Sequence, residues 1–186
     1  MNNMKARILV SGGIDSMACI NFYLAQGYDV EGVFFDYKQR AEKSEYYAAM
    51  RIAKYYGIKL NFLHIPELSL CESGEIPGRN AIIAVQALGY FGYGTYKIVM
   101  GIHSGTDYPD CSSIFVEQIN RLFDDYTDGT VILEAPFLNW TKQQIIEYSK
   151  SHMLPVELTY SCETGNDPCG RCNSCLDRKK WLNETY

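Results

Sequence analysis

Ser11-Gly12-Gly13-Ile14-Asp15-Ser16 stands between two apolar segments, and its reading decides the fold. The run before it, Ala6-Arg7-Ile8-Leu9-Val10, predicts a buried strand, and the run over residues 17–24 predicts a helix with Asp15 or Ser16 at its N-cap. A strand, a glycine turn and a helix start in that order make an anion site. The two glycines let backbone N–H groups come close to a phosphate, and the helix dipole with its free N–H groups favours negative charge there. Ser11 and Ser16 add hydroxyl donors. The plainer alternative is a tight strand–helix turn with a serine cap. The chain has no Walker A sequence, and the stretch is not G-x-G-x-x-G either.

Outward from that turn, strand and helix patterns alternate. Asp29–Asp36 reads as a strand, and Glu42–Tyr56 as a helix burying Ala48, Ala49, Ile52, Ala53 and Tyr56. Residues 59–65 read as a third strand. Residues 81–88 read as a strongly apolar helix, expected to be well buried, and 97–101 as the next strand. Residues 112–125 read as a helix with Phe115, Ile119 and Leu122 inward. A strand over 131–135 is ended by Pro136, and a last helix is capped by Thr141. This order predicts an α/β fold, a Rossmann-like doubly wound parallel sheet, whose ligands sit beyond the carboxyl ends of the strands. Ser11 and Asp36 fall at that edge, with His64 as a structural strand end.

Two cations are oddly placed. Arg79, beside Asn80, and Lys142 each stand at a helix start, where the dipole disfavours positive charge unless an anion is bound nearby. For Arg79 an ordinary surface position beside an Asn80 cap is the alternative.

The 186 residues suit a single domain over 1–186, and the apolar share of 47% with 21% charged residues is an ordinary globular balance. A net charge of -5 argues against a broad field for nucleic acid. No apolar run reaches membrane-spanning length and the N-terminus lacks a signal-peptide core, so a cytoplasmic location without membrane contact is expected. Seven cysteines fall unevenly: Cys19, Cys71 and Cys111 are scattered, while Cys162-x6-Cys169-x2-Cys172-x2-Cys175 lie together. That pattern predicts a metal site in a reducing compartment. Four thiolates complete a tetrahedral zinc shell with no place for water, which reads as structural, within a zinc-binding segment over 158–180. An iron–sulfur cluster is the rival.

The turn resembles the S-G-G-x-D-S loop of the ATP pyrophosphatases, which attack the α-phosphate of ATP and release pyrophosphate. With Asp36-Tyr37, Gln39-Arg40, Pro77–Asn80, Tyr108–Cys111, Phe115, Pro136, Lys142, Leu158–Cys162, Pro168–Cys175 and Arg178, the chain resembles the 7-cyano-7-deazaguanine synthase (QueC) family. The resemblance implies adenylation of the carboxylate of 7-carboxy-7-deazaguanine with ATP and Mg2+, displacement of AMP by ammonia, and a second adenylation leading to the nitrile. It places Ser11, Gly12, Gly13, Asp15 and Ser16 on the pyrophosphate, with Asp15 and Asp36 on magnesium or ribose. Arg79 and Lys142 would face developing negative charge. Tyr108 and Asp110, with Arg79 and Asn80, would hold the deazapurine. Zn2+ would be bound by the four clustered cysteines, and a homo-oligomer is expected.

The chain also departs from the family. Where Asp-Tyr-Gly-Gln-Arg-His is usual, Asp36-Tyr37-Lys38-Gln39-Arg40-Ala41 stands here. The connection between His64 and Pro77 is short, and Ser104-Gly105-Thr106-Asp107 replaces the usual Ser-Gly before Tyr108. A more open site would admit an amine larger than ammonia. The alternative is therefore a QueC-like enzyme of a bacterial anti-phage operon that joins the deazaguanine to an amine of a partner protein. A regulatory nucleotide binder without catalysis is disfavoured by the intact loop. A sulfur-transfer enzyme acting on tRNA is disfavoured by the acidic balance.

Overall fold

The computed structural model describes residues 4–66, 68, 76–103 and 108–182. Cys71, most of the connection between Pro66 and Ile76, and residues 104–107 of the loop before Tyr108 lie outside them. Strands β1 (Lys5–Leu9), β2 (Asp29–Asp36), β3 (Lys59–His64), β4 (Tyr96–Val99) and β5 (Val131–Glu134) form one sheet. All four pairings are parallel and the order is β3-β2-β1-β4-β5. The helices are α1 (Ile14–Ala25), α2 (Glu42–Tyr56), α3 (Arg79–Phe91), α4 (Ser113–Thr127), α5 (Lys142–Ser151) and the short α6 (Asn173–Asp177).

The strand period of two divides the core between the faces of the sheet. Ala6, Ile8 and Val10 meet α1, α2 and α5 through Met17, Ile20, Ile52 and Ile145. Leu9, between them, points the other way, into the layer made with α3 and α4 by Ala84, Ala87, Ile119 and Phe123. The order reverses at β1, which has β2 on one side and β4 on the other. In open parallel sheets that reversal leaves a crevice beyond the strand ends, and the turn 11–16 opens into it.

Several details differ from the sequence reading. Helix α1 begins at Ile14, so neither Asp15 nor Ser16 is its cap; Gly13 takes that position without a side-chain cap bond. Ser16 Oγ instead donates back to the Gly13 carbonyl at 3.0 Å. Helix α3 buries only Asn80, Ala84 and Ala87, while Ile82 and Val85 are exposed. An outer-layer helix packs one stripe against a sheet, so its apolar composition overstates its burial. In α4 the inward residue after Ile119 is Phe123, and Leu122 is exposed, because the buried stripe steps by four. No helix among the described residues is long and apolar enough to cross a membrane.

Candidate active site

A cavity of about 310 Å³ opens at the carboxyl edge of the sheet. Its floor is the turn, through Ser11, Gly13, Asp15 and Ser16, and its walls carry Arg79, Asn80 and Lys142. Seven of the residues singled out in the sequence thus come together on one surface.

The turn is held by close backbone packing. Gly12 has φ +82°, and a Cβ there would lie 2.5 Å from the carbonyl oxygen of Glu45 in α2. Both facts require glycine. Gly101, just past β4, admits the start of α1 in the same way: a Cβ would stand 3.0 Å from the Asp15 carbonyl carbon. The Gly12 carbonyl accepts the Tyr160 N–H at 2.9 Å, which ties the C-terminal segment to the turn. No side chain caps α1, so its first-turn N–H groups have no side-chain acceptor among the described residues, an arrangement that suits an oxyanion.

Lys142 Nζ donates to both carboxylate oxygens of Asp15, at 2.7 and 2.8 Å. The carboxylate explains how a lysine is tolerated at the start of α5, which Thr141 and Gln144 close with a reciprocal capping box. Burial holds His103 below the ordinary imidazole value, and Asp15, Lys142 and Asp177 are its charged neighbours. Arg79 opens α3 and donates to the Asn80 side-chain oxygen at 3.3 Å. Asn80 is 5% exposed, and its backbone and side-chain N–H groups both donate to Asp110, each at 3.2 Å. Asp110 is therefore occupied in fixing the start of α3. Neither it nor the half-exposed Tyr108 lines the cavity.

Asp36 is also outside the cavity lining. Its oxygens accept the Lys38 N–H at 3.0 Å and Nζ at 3.1 Å, and His64 Nδ1 lies 3.0 Å away. Burial works to raise its carboxyl, but these bonds hold it below the ordinary value. Lys38 adopts φ +64°, a conformation favouring glycine, so the usual family glycine has a geometric basis, and the lysine compensates through Asp36. Ala41 is 2% exposed, in a space a histidine would have to enlarge.

Other lining residues carried no site role in the sequence reading: Tyr37, Gln39, Tyr160, Ser161, Ser174 and Arg178 stand there only as motif residues, and Glu45 and Asp177 not at all. Tyr37, Gln39 and Glu45 form one wall, and Ser174 and Asp177 join Tyr160, Ser161 and Arg178 in another. Glu45 follows Glu42 on a helix that looks solvated in sequence. The signal available was its position in the first turn of the helix that follows the Gln39-Arg40 motif. Arg178, 3% exposed, donates to Thr159 Oγ1 at 2.6 Å and the Val156 carbonyl at 3.2 Å, bracing the returning segment.

The sulfur atoms of Cys162, Cys169, Cys172 and Cys175 all lie within 4.8 Å of one another. A tetrahedral ion with Zn–S bonds of about 2.3 Å needs sulfurs about 3.8 Å apart, and Cys169 and Cys175 stand at 4.0 Å. The N–H groups of Arg171 and Cys172 point at Cys169 Sγ, at 3.5 and 3.3 Å. Together with the Thr164 hydroxyl they hold its thiol down at about 5, whereas burial pushes Cys175 up to about 12. A buried sulfur of that kind needs a cation to be held as thiolate, so the cluster fits a metal.

A model of the family described as queuosine biosynthesis protein QueC matches residues 5–75 and 71–186. The chain is 32% identical over 208 aligned positions to 7-cyano-7-deazaguanine synthase 2 of Desulfitobacterium hafniense, covering 97% of this chain and 89% of that one. To the 7-cyano-7-deazaguanine synthase of Campylobacter jejuni it is 28% identical over 204, covering 94% and 91%. Both alignments run longer than the 186 residues, so they contain gaps in this chain, and the family match falls in two segments that overlap at 71–75, within the short connection. A solved 4-thiouridine synthetase–RNA complex with bound ATP superposes with a TM-score of 0.55 at 17% identity, over 97% of this chain and 50% of that one, which shows a shared fold. With a family match over nearly its whole length and a relative above 30% identity, the chain belongs to the QueC family.

Proposed function

We propose that this chain activates the carboxylate of 7-carboxy-7-deazaguanine as an adenylate and converts it to the amide with ammonia, continuing to 7-cyano-7-deazaguanine. The observation that carries the reading is the uncapped start of α1 facing the same cavity as Arg79 and the Lys142–Asp15 pair. A carboxylate is a poor electrophile, and AMP is a good leaving group. Ser11, Ser16 and the N–H groups at the start of α1 would cradle the departing pyrophosphate, while Lys142 and Arg79 offset charge as it develops. Asp15 is the cavity carboxylate suited to Mg2+, which would share it with Lys142 and neutralise phosphate charge. Asn80 and the apolar wall of Phe35, Ile83 and Met100 would receive the heterocycle. Zinc at the four cysteines would take no part in the chemistry and would hold the segment that Tyr160 ties to Gly12.

A second reading has one observation in its favour. The alignments to the relatives contain gaps in this chain, and the family match divides into two segments that overlap at 71–75, ahead of α3 in sequence. A mouth opened there would admit an amine carried by a partner protein in place of ammonia, as in a QueC-like conjugating enzyme. Both readings share the first half-reaction. Exchange of labelled pyrophosphate into ATP that depends on the deazaguanine acid supports them, and its absence in folded, metal-loaded protein rejects them.

A further inference from the structure

We propose that Glu45 accepts the proton released by the amine as it attacks the adenylate, with Gln39 as its positioning residue. This inference rests on the function proposed above and extends it to the second half-reaction, for which the loop, Lys142 and Arg79 provide no base.

Three observations point to it. First, the wall that Glu45 shares with Tyr37 and Gln39 places a half-buried carboxylate inside the cavity. Second, that carboxylate is oriented. Gln39 Oε1 accepts the Tyr37 N–H at 3.0 Å, which fixes the amide, and Gln39 Nε2 then donates to the Phe35 carbonyl and to Glu45 Oε2, each at 3.1 Å. Glu45 Oε1 accepts no hydrogen bond among the described residues, so one oxygen is anchored and the other is available. Third, Arg79 lines the same cavity and its charge is felt at Glu45, yet no ion pair joins them among the described residues. Tyr37, on the same wall, interacts with both groups. An acyl group bound in this cavity with its oxygen toward Arg79 would have Glu45 on the cavity wall to take the proton of the attacking amine.

The other cavity carboxylates are less suited. Both oxygens of Asp15 are taken by Lys142. Asp177 has no donor holding it among the described residues. The groups facing Glu45 are Gln39, Tyr37 and Arg79, and burial shifts its carboxyl upward, toward the working pH, against the opposing pull of Gln39 and Arg79. A base closer to the working pH transfers protons more effectively.

The step balances without a further reagent. The nitrogen lone pair forms the C–N bond, the acyl C–O bond to AMP breaks and its electron pair leaves with AMP. One N–H proton passes to Glu45 Oε1 and from there to solvent.

The test separates the two half-reactions in Glu45→Gln, which keeps the shape and the contact to Gln39. Acid-dependent ATP–pyrophosphate exchange should stay within about threefold of the unaltered enzyme, while amide formation from ammonia falls about 100-fold, the scale of losing one general base. Glu45→Asp should recover part of the lost rate. Equal loss of both half-reactions would overturn the proposal and make Glu45 a binding or structural residue. Amide formation at the unaltered rate would overturn it as well. Failure of the unaltered enzyme to catalyse exchange would instead reject the underlying function, and this proposal with it.

Discussion

Lys142 Nζ bridges both oxygens of the Asp15 carboxylate, at 2.7 and 2.8 Å, across 127 residues of sequence. The pair joins the first turn of α5 to the first turn of α1 above the crevice where the strand order reverses. Each side chain is about a quarter exposed, at 26% and 24%, so solvent screens the attraction and its worth to the fold is about 1 kcal/mol at most. Its value lies in placing a cation where phosphate charge develops. Lys142→Ala should lower acid-dependent exchange by about two to three orders of magnitude, the scale of losing one electrostatic stabiliser. The melting temperature should move by no more than about 4 °C. Parallel exchange and thermal-unfolding measurements check both numbers.

Arg79 is the first residue of α3, where Asp110 rather than the N-cap Gly78 supplies the side-chain acceptor, and it lines the cavity. The helix gains nothing from a cation at its positive end, so Arg79→Ala should leave stability nearly unchanged and reduce turnover by about two to three orders of magnitude. Turnover at the level of the unaltered enzyme would make Arg79 an ordinary surface residue.

The cysteine cluster should hold about one zinc ion per chain. Cys175, 1% exposed, is the ligand with least access to replacement by water. Cys175→Ser should lose the metal and lower the melting temperature by about 10 °C or more, because structural metal binding is folding energy. Through the Tyr160–Gly12 bond it should also weaken ATP binding at the distant turn. Elemental analysis, thermal unfolding and nucleotide titration test the three effects; iron in place of zinc would favour a cluster.

Acid should destabilise the protein through Glu31. Burial works to raise this carboxyl, but Lys59, Asn61 and Arg7 outweigh it and hold it below its ordinary value. A carboxyl lowered in the folded state binds its proton more weakly there than in the unfolded chain. Its contribution is therefore complete above the unfolded value of about 4.3 and is lost as pH falls through the folded value. Asp36 acts in the same sense. Glu31→Gln should cost about 2 kcal/mol at pH 7 and flatten the acid limb of a urea-unfolding series between pH 7 and 3.

The fold was legible where one periodicity acted alone. Strand Asp29–Asp36 and helix Glu42–Tyr56 have the bounds their patterns imply. Helix α3 is less buried than its apolar composition implies, because composition does not tell which side meets the sheet. In the site, the turn 11–16, Arg79 and Lys142 were legible from chemistry that fits their positions poorly without a ligand. Asp36 was read toward the cavity from its place at a strand end, but Lys38 and His64 hold it. The roles of Glu45, Gln39 and the Tyr160 tie were not legible, although Gln39 and Tyr160 stand in the motifs, because each depends on packing between distant segments: α2 against Gly12, and the C-terminal return against the same glycine.

The account rests on adenylation, and one incubation tests it: protein, ATP, Mg2+, 7-carboxy-7-deazaguanine and excess ammonium, with nucleotides and heterocycles followed together by mass spectrometry. The nitrile step needs a bound amide, a second ATP and exclusion of water, which makes it the more demanding of the two steps. AMP and pyrophosphate should therefore form in equal amounts, only when the acid is present, with the amide accumulating ahead of the nitrile. ADP and phosphate as products, or ATP cleavage indifferent to the acid, would contradict the account.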